Sequence, residues 1–146
     1  MKHSFDIEVR APRSKVVALF DEPANLVKWQ PDLLRFEPIS GTPGHPGATS
    51  RLVYRAGKGE FELIETVTAR NLPDEFCGTY ASKMGVTTIR NRFMDNGPNT
   101  RWIVDTDFTG SGIMKVLSLV MGGMIRGQTL KVLNAFKAFA ESDGRA

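Results

Sequence analysis

Apolar residues recur at three- and four-residue steps through GIMKVLSLVMGGMIRGQTLKVLNAFKAFAE, residues 112–141, and no proline interrupts them. Leu117, Val120, Met121, Met124, Val132, Ala135, Phe136 and Phe139 form one stripe, the pattern of an amphipathic helix. Ser111 is its expected N-cap and Gly144 its stop. At 1.5 Å per residue this helix would run ~40 Å, the length of a small domain. Gly122, Gly123 and Gly127 fall in one half of it, each costing about 1 kcal/mol against alanine. Two readings follow: they let the helix pack closely on a neighbour, or they thin it and leave room beside it.

Upstream the period changes. Ser4–Arg10 alternates, with Phe5, Ile7 and Val9 on one side and charges on the other, which predicts a half-buried strand. Ala11-Pro12 ends it. Two short helices follow, Ser14–Phe20 and one opening at Glu22-Pro23 that carries Leu26, Val27 and Trp29 and closes at Pro31. Six further strands are expected at Leu34–Ile39, Thr49–Ala56, Glu60–Ala69, Glu75–Lys83, Val86–Met94 and Arg101–Thr109, separated by short Gly, Pro and Asn turns. Short links favour sequential antiparallel pairing. The chain therefore reads as α+β, a curved antiparallel sheet of about seven strands wrapped around one long C-terminal helix, in a single domain over 1–146.

Ala11-Pro12, Val16, Phe20-Asp21, Trp29 and Pro31 resemble the opening of the START-like superfamily (SRPBCC, the polyketide cyclase/dehydrase type). Glu65-Thr66-Val67 with Leu72-Pro73, the glycine before the Trp102 strand, and the long last helix are similar to its middle and end. The resemblance implies a helix-grip fold with a cavity between sheet and helix. It also implies hydrophobic or amphipathic small-molecule ligands, with enzymes in only some branches.

Strand registers say what would line such a cavity, since a one-residue slip sends every side chain to the other face. A glycine-first Gly57-Lys58 turn sets Tyr54 opposite Phe61, Leu52 opposite Leu63 and Ser50 opposite Glu65. A Met84-Gly85 turn would set Tyr80 opposite Ile89, Gly78 opposite Asn91 and Phe76 opposite Phe93. The turn after Asp95 sets Phe93 opposite Trp102, Asn91 opposite Val104 and Ile89 opposite Thr106. A loop over Arg70–Pro73 would put Glu65 opposite Gly78, giving a hollow-side row of Ser50, Glu65, Gly78, Asn91 and Val104.

Polar groups on a face meant to be dry are the informative ones, because a carboxylate there must be paired, hydrated or kept neutral. The expected pocket has walls of Tyr54, Phe61, Tyr80, Phe93, Trp102, Met121 and Met124. Glu65, Asn91 and Gln128 are its polar points, with Thr106 beside them and Trp29 either at the mouth or capping the core. Glu65 itself has two readings: a structural carboxylate bonded to Ser50, Asn91 or Gln128, or a general acid/base.

Charge and motifs narrow the classes. Net charge is +3 and no Lys/Arg cluster forms a stripe with aromatics, which argues against nucleic-acid binding. Neither His3 nor His45 has ligand spacing to another donor, so no metal is expected, and no cofactor motif is present. Cys77 is the sole cysteine, expected to point outward near Arg92 and to be inert. No run is long enough to span a bilayer and the N-terminus is no signal peptide, so a cytoplasmic protein is expected. Homodimerisation through a strand edge stays open. The leading function is binding or carrying a hydrophobic or amphipathic small molecule. The competitors are a cyclase, dehydratase or isomerase using Glu65, and an accessory protein docking on a membrane or complex through the Met/Gly-rich helix half with Lys115 and Arg126.

Overall fold

The computed structural model describes residues 1–110, 112, 113, 116 and 122–143. Strand β1 (Lys2–Val9) is followed by α1 (Arg13–Asp21), a 3-10 turn (Pro23–Asn25) and α2 (Leu26–Trp29). Then come β2 (Leu33–Ser40), β3 (Thr49–Ala56), β4 (Gly59–Asn71), β5 (Glu75–Ser82), β6 (Gly85–Asn96), β7 (Asn99–Gly110) and the long α3 (Gly122–Asp143). The strands form one antiparallel sheet in the order β1-β7-β6-β5-β4-β3-β2. This is the expected α+β helix-grip architecture. Ser111, Met121 and Gly144 lie outside the described residues, as does most of the expected first third of the helix.

Each element follows from local chemistry. Phe5, Ile7 and Val9 are buried while their β1 neighbours are exposed. Glu22 accepts from the Ala24 N–H at 3.3 Å and Pro23 opens the short turn, which starts the α2 segment. Gly57 has φ +59, and the hairpin around it pairs Tyr54 with Phe61, Leu52 with Leu63 and Ser50 with Glu65, as expected. The β6–β7 register also agrees, with Phe93 opposite Trp102, Asn91 opposite Val104 and Arg90 opposite Asp105.

Two registers differ from the expectation by two residues each. Strand β4 runs on to Asn71, a bulge falls between Val67 and Ala69, and Glu65 lies opposite Tyr80, with Gly78 opposite Val67. The β5–β6 turn is Lys83-Met84, because Gly85 is a strand residue paired with both Ser82 and Gly110. A Cβ on Gly85 would stand 2.2 Å from the Thr109 carbonyl oxygen, so glycine serves the close approach to β7 rather than the turn. Tyr80 consequently faces Thr87, Gly78 faces Ile89 and Phe76 faces Asn91. Cys77 lies opposite Arg90 rather than near Arg92, and burial followed by the Glu75 charge raises its thiol pKa. Since even slips preserve the face, the inward set survives while its neighbours change.

Helix α3 lies over β1 and against α1 and α2. Its C-terminal end is fixed by polar contacts: Lys137 Nζ donates to the Glu8 carbonyl at 2.7 Å and pairs with Glu141. The Arg10 backbone N–H donates to the Glu141 carboxylate at 2.9 Å. Burial opposes ionisation of Glu141, but the hydrogen bonds from Lys137 and Arg10 outweigh it and hold the carboxyl at about 2. The contact is thus fully present above the ordinary carboxyl range and is lost as pH falls from about 4.5 towards 2.

Replacing Glu141 with Gln is expected to lower stability by about 2 kcal/mol at pH 7. Urea denaturation should show that difference shrinking at pH 3; a pH-independent difference would contradict the ion-pair account. Gly85→Ala should destabilise by about 3 kcal/mol, seen as a lower urea midpoint, from overpacking against β7.

Candidate functional site

The sheet's hollow side has two unlike halves. At one end Phe20, Trp29, Phe93, Trp102 and Phe136 pack ring against ring. Phe20–Phe93, Trp29–Phe136 and Trp102–Phe136 centroids all lie 5.1 Å apart, and Phe93 stacks on Trp102 at 6.2 Å. Phe93, Trp102 and Phe136 are at most 1% exposed. Of the expected pocket residues, Trp29, Phe93 and Trp102 belong to this filled end. Asn91 does too: it donates to the Phe76 carbonyl at 3.2 Å and accepts from the Trp102 indole at 3.1 Å. Its amide ties buried groups together.

The other half is less completely covered. One row crosses β3 to β7 as Ser50, Glu65, Tyr80, Thr87 and Phe108. The next crosses β4 to β1 as Val67, Gly78, Ile89, Thr106 and His3. Phe61, Leu63, Glu65, Tyr80, Thr87 and Ile89 are only half-buried, unlike Asn91, Phe93 and Trp102 at the aromatic end, while Ser50, Leu52 and Val67 on the same face are buried. Thr106 is buried beside them, and Gly78 supplies no side chain in the middle of the second row.

Two hydrogen bonds organise the polar groups here. Tyr80 Oη donates to Glu65 Oε2 at 2.8 Å, and Tyr54 Oη donates to Gln30 Oε1 at 2.7 Å. Burial raises the Glu65 pKa, and the Tyr80 hydrogen bond pulls it part of the way back. Burial also raises both tyrosines, with the Glu65 charge adding to each, so the two phenols stay protonated donors. Glu65 is thus a carboxyl set among apolar walls, able to accept or donate a proton, with a phenol fixed on one oxygen.

The stripe that α3 turns inward is Ile125, Thr129, Val132, Leu133, Phe136 and Ala140. Val132, Ala135, Phe136 and Phe139 of the expected stripe are covered, whereas Met124, 63% exposed, and Gln128 lie on the solvent side and not among the lining. Gln30, at the α2 end, was not among the expected polar points; no periodicity marks a residue in so short a segment. His3 also joins the hollow side, and its alternation with Phe5 and Ile7 carries that signal.

Elsewhere, a groove of about 460 Å³ runs along the outer side between α1 and the β5–β6 strands. Its charges cancel in pairs, Arg13 with Asp74 at 2.8 Å and Arg90 with Glu75, while Arg92 holds Asp105 at 3.0 Å. It is a solvated ion-pair ladder on the face opposite the Glu65–Tyr80 pair. Among the described residues no group of three or more His, Cys, Asp or Glu is placed to hold a metal ion. No described helix is long and apolar enough to cross a membrane.

This geometry is a helix-grip fold. No protein-family model matches the chain and no curated protein matches it by sequence. Solved structures do match. It is similar to the Zhui aromatase/cyclase from Streptomyces sp. R1128 at TM-score 0.79 and 13% identity, over 97% of this chain and 93% of that one. It is also similar to a START superfamily protein from Mycobacterium smegmatis at TM-score 0.74 and 18% identity, over 97% of each chain. Ara h 8.0201 matches at TM-score 0.77 and 14% identity, over 97% of this chain and 99% of that one. At these identities the likeness is one of fold.

Removing the Tyr80 hydroxyl should shift Glu65 further upward, since the hydrogen bond it gives favours the charged carboxylate. Carboxyl-carbon NMR titration of the wild type and Tyr80→Phe checks this. An unchanged Glu65 midpoint would mean that the phenol does not hold the acid.

Proposed function

We propose that the chain binds or carries a hydrophobic or amphipathic small molecule in the space between the open half of the hollow side and α3. The observation that carries the reading is the division of one sheet face into a closely packed aromatic end and a half-buried end of Phe61, Leu63, Tyr80 and Ile89 around the half-buried Glu65. Mostly apolar walls with a few convergent polar groups are what small-ligand sites consist of. The fold match to a START superfamily protein and to an aromatase/cyclase supports the same reading.

A second reading has its own observation, the Glu65–Tyr80 hydrogen bond with burial raising the acid. In that reading Glu65 moves a proton on an enolisable or cyclising substrate, and the walls fold the substrate and exclude water. Glu65→Gln separates the two once a substrate is in hand: retained affinity with lost turnover supports an enzyme, and unchanged binding and turnover remove Glu65 from the chemistry.

The binding reading is tested with N-phenyl-1-naphthylamine, an uncharged dye whose fluorescence rises in apolar surroundings. The wild type should bind it saturably, and Ile89→Trp, which fills the open half, should weaken binding by about tenfold or more while the far-UV spectrum is unchanged. No saturable binding by the wild type, or equal binding by the folded variant, would overturn the proposal.

A further inference from the structure

His3 Nε2 is enclosed and has no hydrogen-bond partner. Among the described residues two other side-chain nitrogens share that condition, Trp29 Nε1 within the aromatic end and Arg92 Nε, whose guanidinium otherwise holds Asp105. His3 is different in its location. It lies on the inward face of β1 opposite Thr106, in the row that continues through Ile89 and Gly78 to Val67. The Phe5 ring, 6.3 Å away between centroids, packs near the imidazole but supplies it no donor or acceptor. Buried polar atoms are nearly always bonded, so one left open on the wall of a cavity points to something that completes it.

We propose that His3 is a second polar anchor of the hollow, and that the molecule held there is elongated, with a hydroxyl or carbonyl oxygen at each end. The inference rests on the binding function proposed above and specifies its ligand. The length follows from topology: β7 and β6 separate β1 from β5, three strand spacings or about 14 Å along the sheet between His3 and Tyr80. Between the two ends stand Thr106 and Ile89 in the His3 row and Thr87 beside Tyr80. An imidazole and a carboxyl can each give or take a hydrogen bond, and a ligand oxygen suits both.

The test uses three rigid probes: trans-stilbene, 4-hydroxystilbene and 4,4′-dihydroxystilbene, titrated by fluorescence against the wild type and His3→Phe. The wild type should prefer the doubly hydroxylated probe over the singly hydroxylated one by about tenfold. His3→Phe should abolish that preference and leave the affinities for stilbene and 4-hydroxystilbene unchanged; His3→Leu takes its place if the phenylalanine variant does not fold. A wild type that binds all three equally, or a preference that survives in the variant, overturns the His3 anchor while the binding function stands. If none of the three, nor the naphthylamine dye, binds the wild type, the binding function falls and this inference with it.

Discussion

Five aromatic rings decide where this fold is solid. Phe20 from α1, Trp29 from α2, Phe93 and Trp102 from the sheet and Phe136 from α3 meet at centroid distances of 5.1–6.4 Å. Each ring buries a large apolar area, and their edge-to-face contacts add to it, so this end resists opening. It brings three separate helices onto one patch of β6 and β7. The two ends of α3 are held differently, the C-terminal one by Glu141 with Arg10 and Lys137 and the other by Arg126 over the Phe5 ring at 4.6 Å. All of these contacts reach β1 or its end. None reaches β3, β4 or β5, where Tyr54, Phe61, Leu63, Glu65 and Tyr80 are left half-covered. The site is the remainder of the sheet after the core has been satisfied.

That division explains why Glu65 is tolerated. On β4 the carboxyl has the Tyr80 phenol as its partner at 2.8 Å. The arrangement leaves the acid raised but bonded, which is a usable state for chemistry and an inexpensive one for stability. Tyr54 repeats the device with Gln30, tying the edge of the sheet to the end of α2. Polar groups are placed here in pairs, each with capacity left over for a ligand. His3 stands apart because its enclosed Nε2 has no hydrogen-bond partner.

How far the residues alone revealed this depends on the kind of signal. Alternation in β1 and β3 and the glycine-first turn at Gly57 are unambiguous, and the strands, their order and the first register follow from them. The bulge after Val67 leaves no trace in a period-two pattern; the longer β4 shifts the pairing by three residues and the bulge takes one back, which puts Tyr80 beside Glu65 where Gly78 was expected. Gly85 misleads in another way, since a glycine needed for close approach to β7 looks like a turn residue in one dimension. Because both slips are even, the inward residues were legible and their partnerships were not. On α3 the expected Val132, Ala135, Phe136 and Phe139 are covered, while Met124 and Gln128, nearer its start, face solvent. His3 shows the opposite lesson: its parity with Phe5 placed it inward, but a histidine with no ligand spacing drew no attention.

The central claim is that the interior is full at its aromatic end and empty around Glu65 and Tyr80. Xenon enters apolar vacancies and little else. A crystal pressurised with xenon should show the gas bordered by Leu63, Tyr80 and Ile89, with none among Phe20, Phe93, Trp102 and Phe136. Xenon absent from the first site, with α3 side chains packed against those residues instead, would contradict the account.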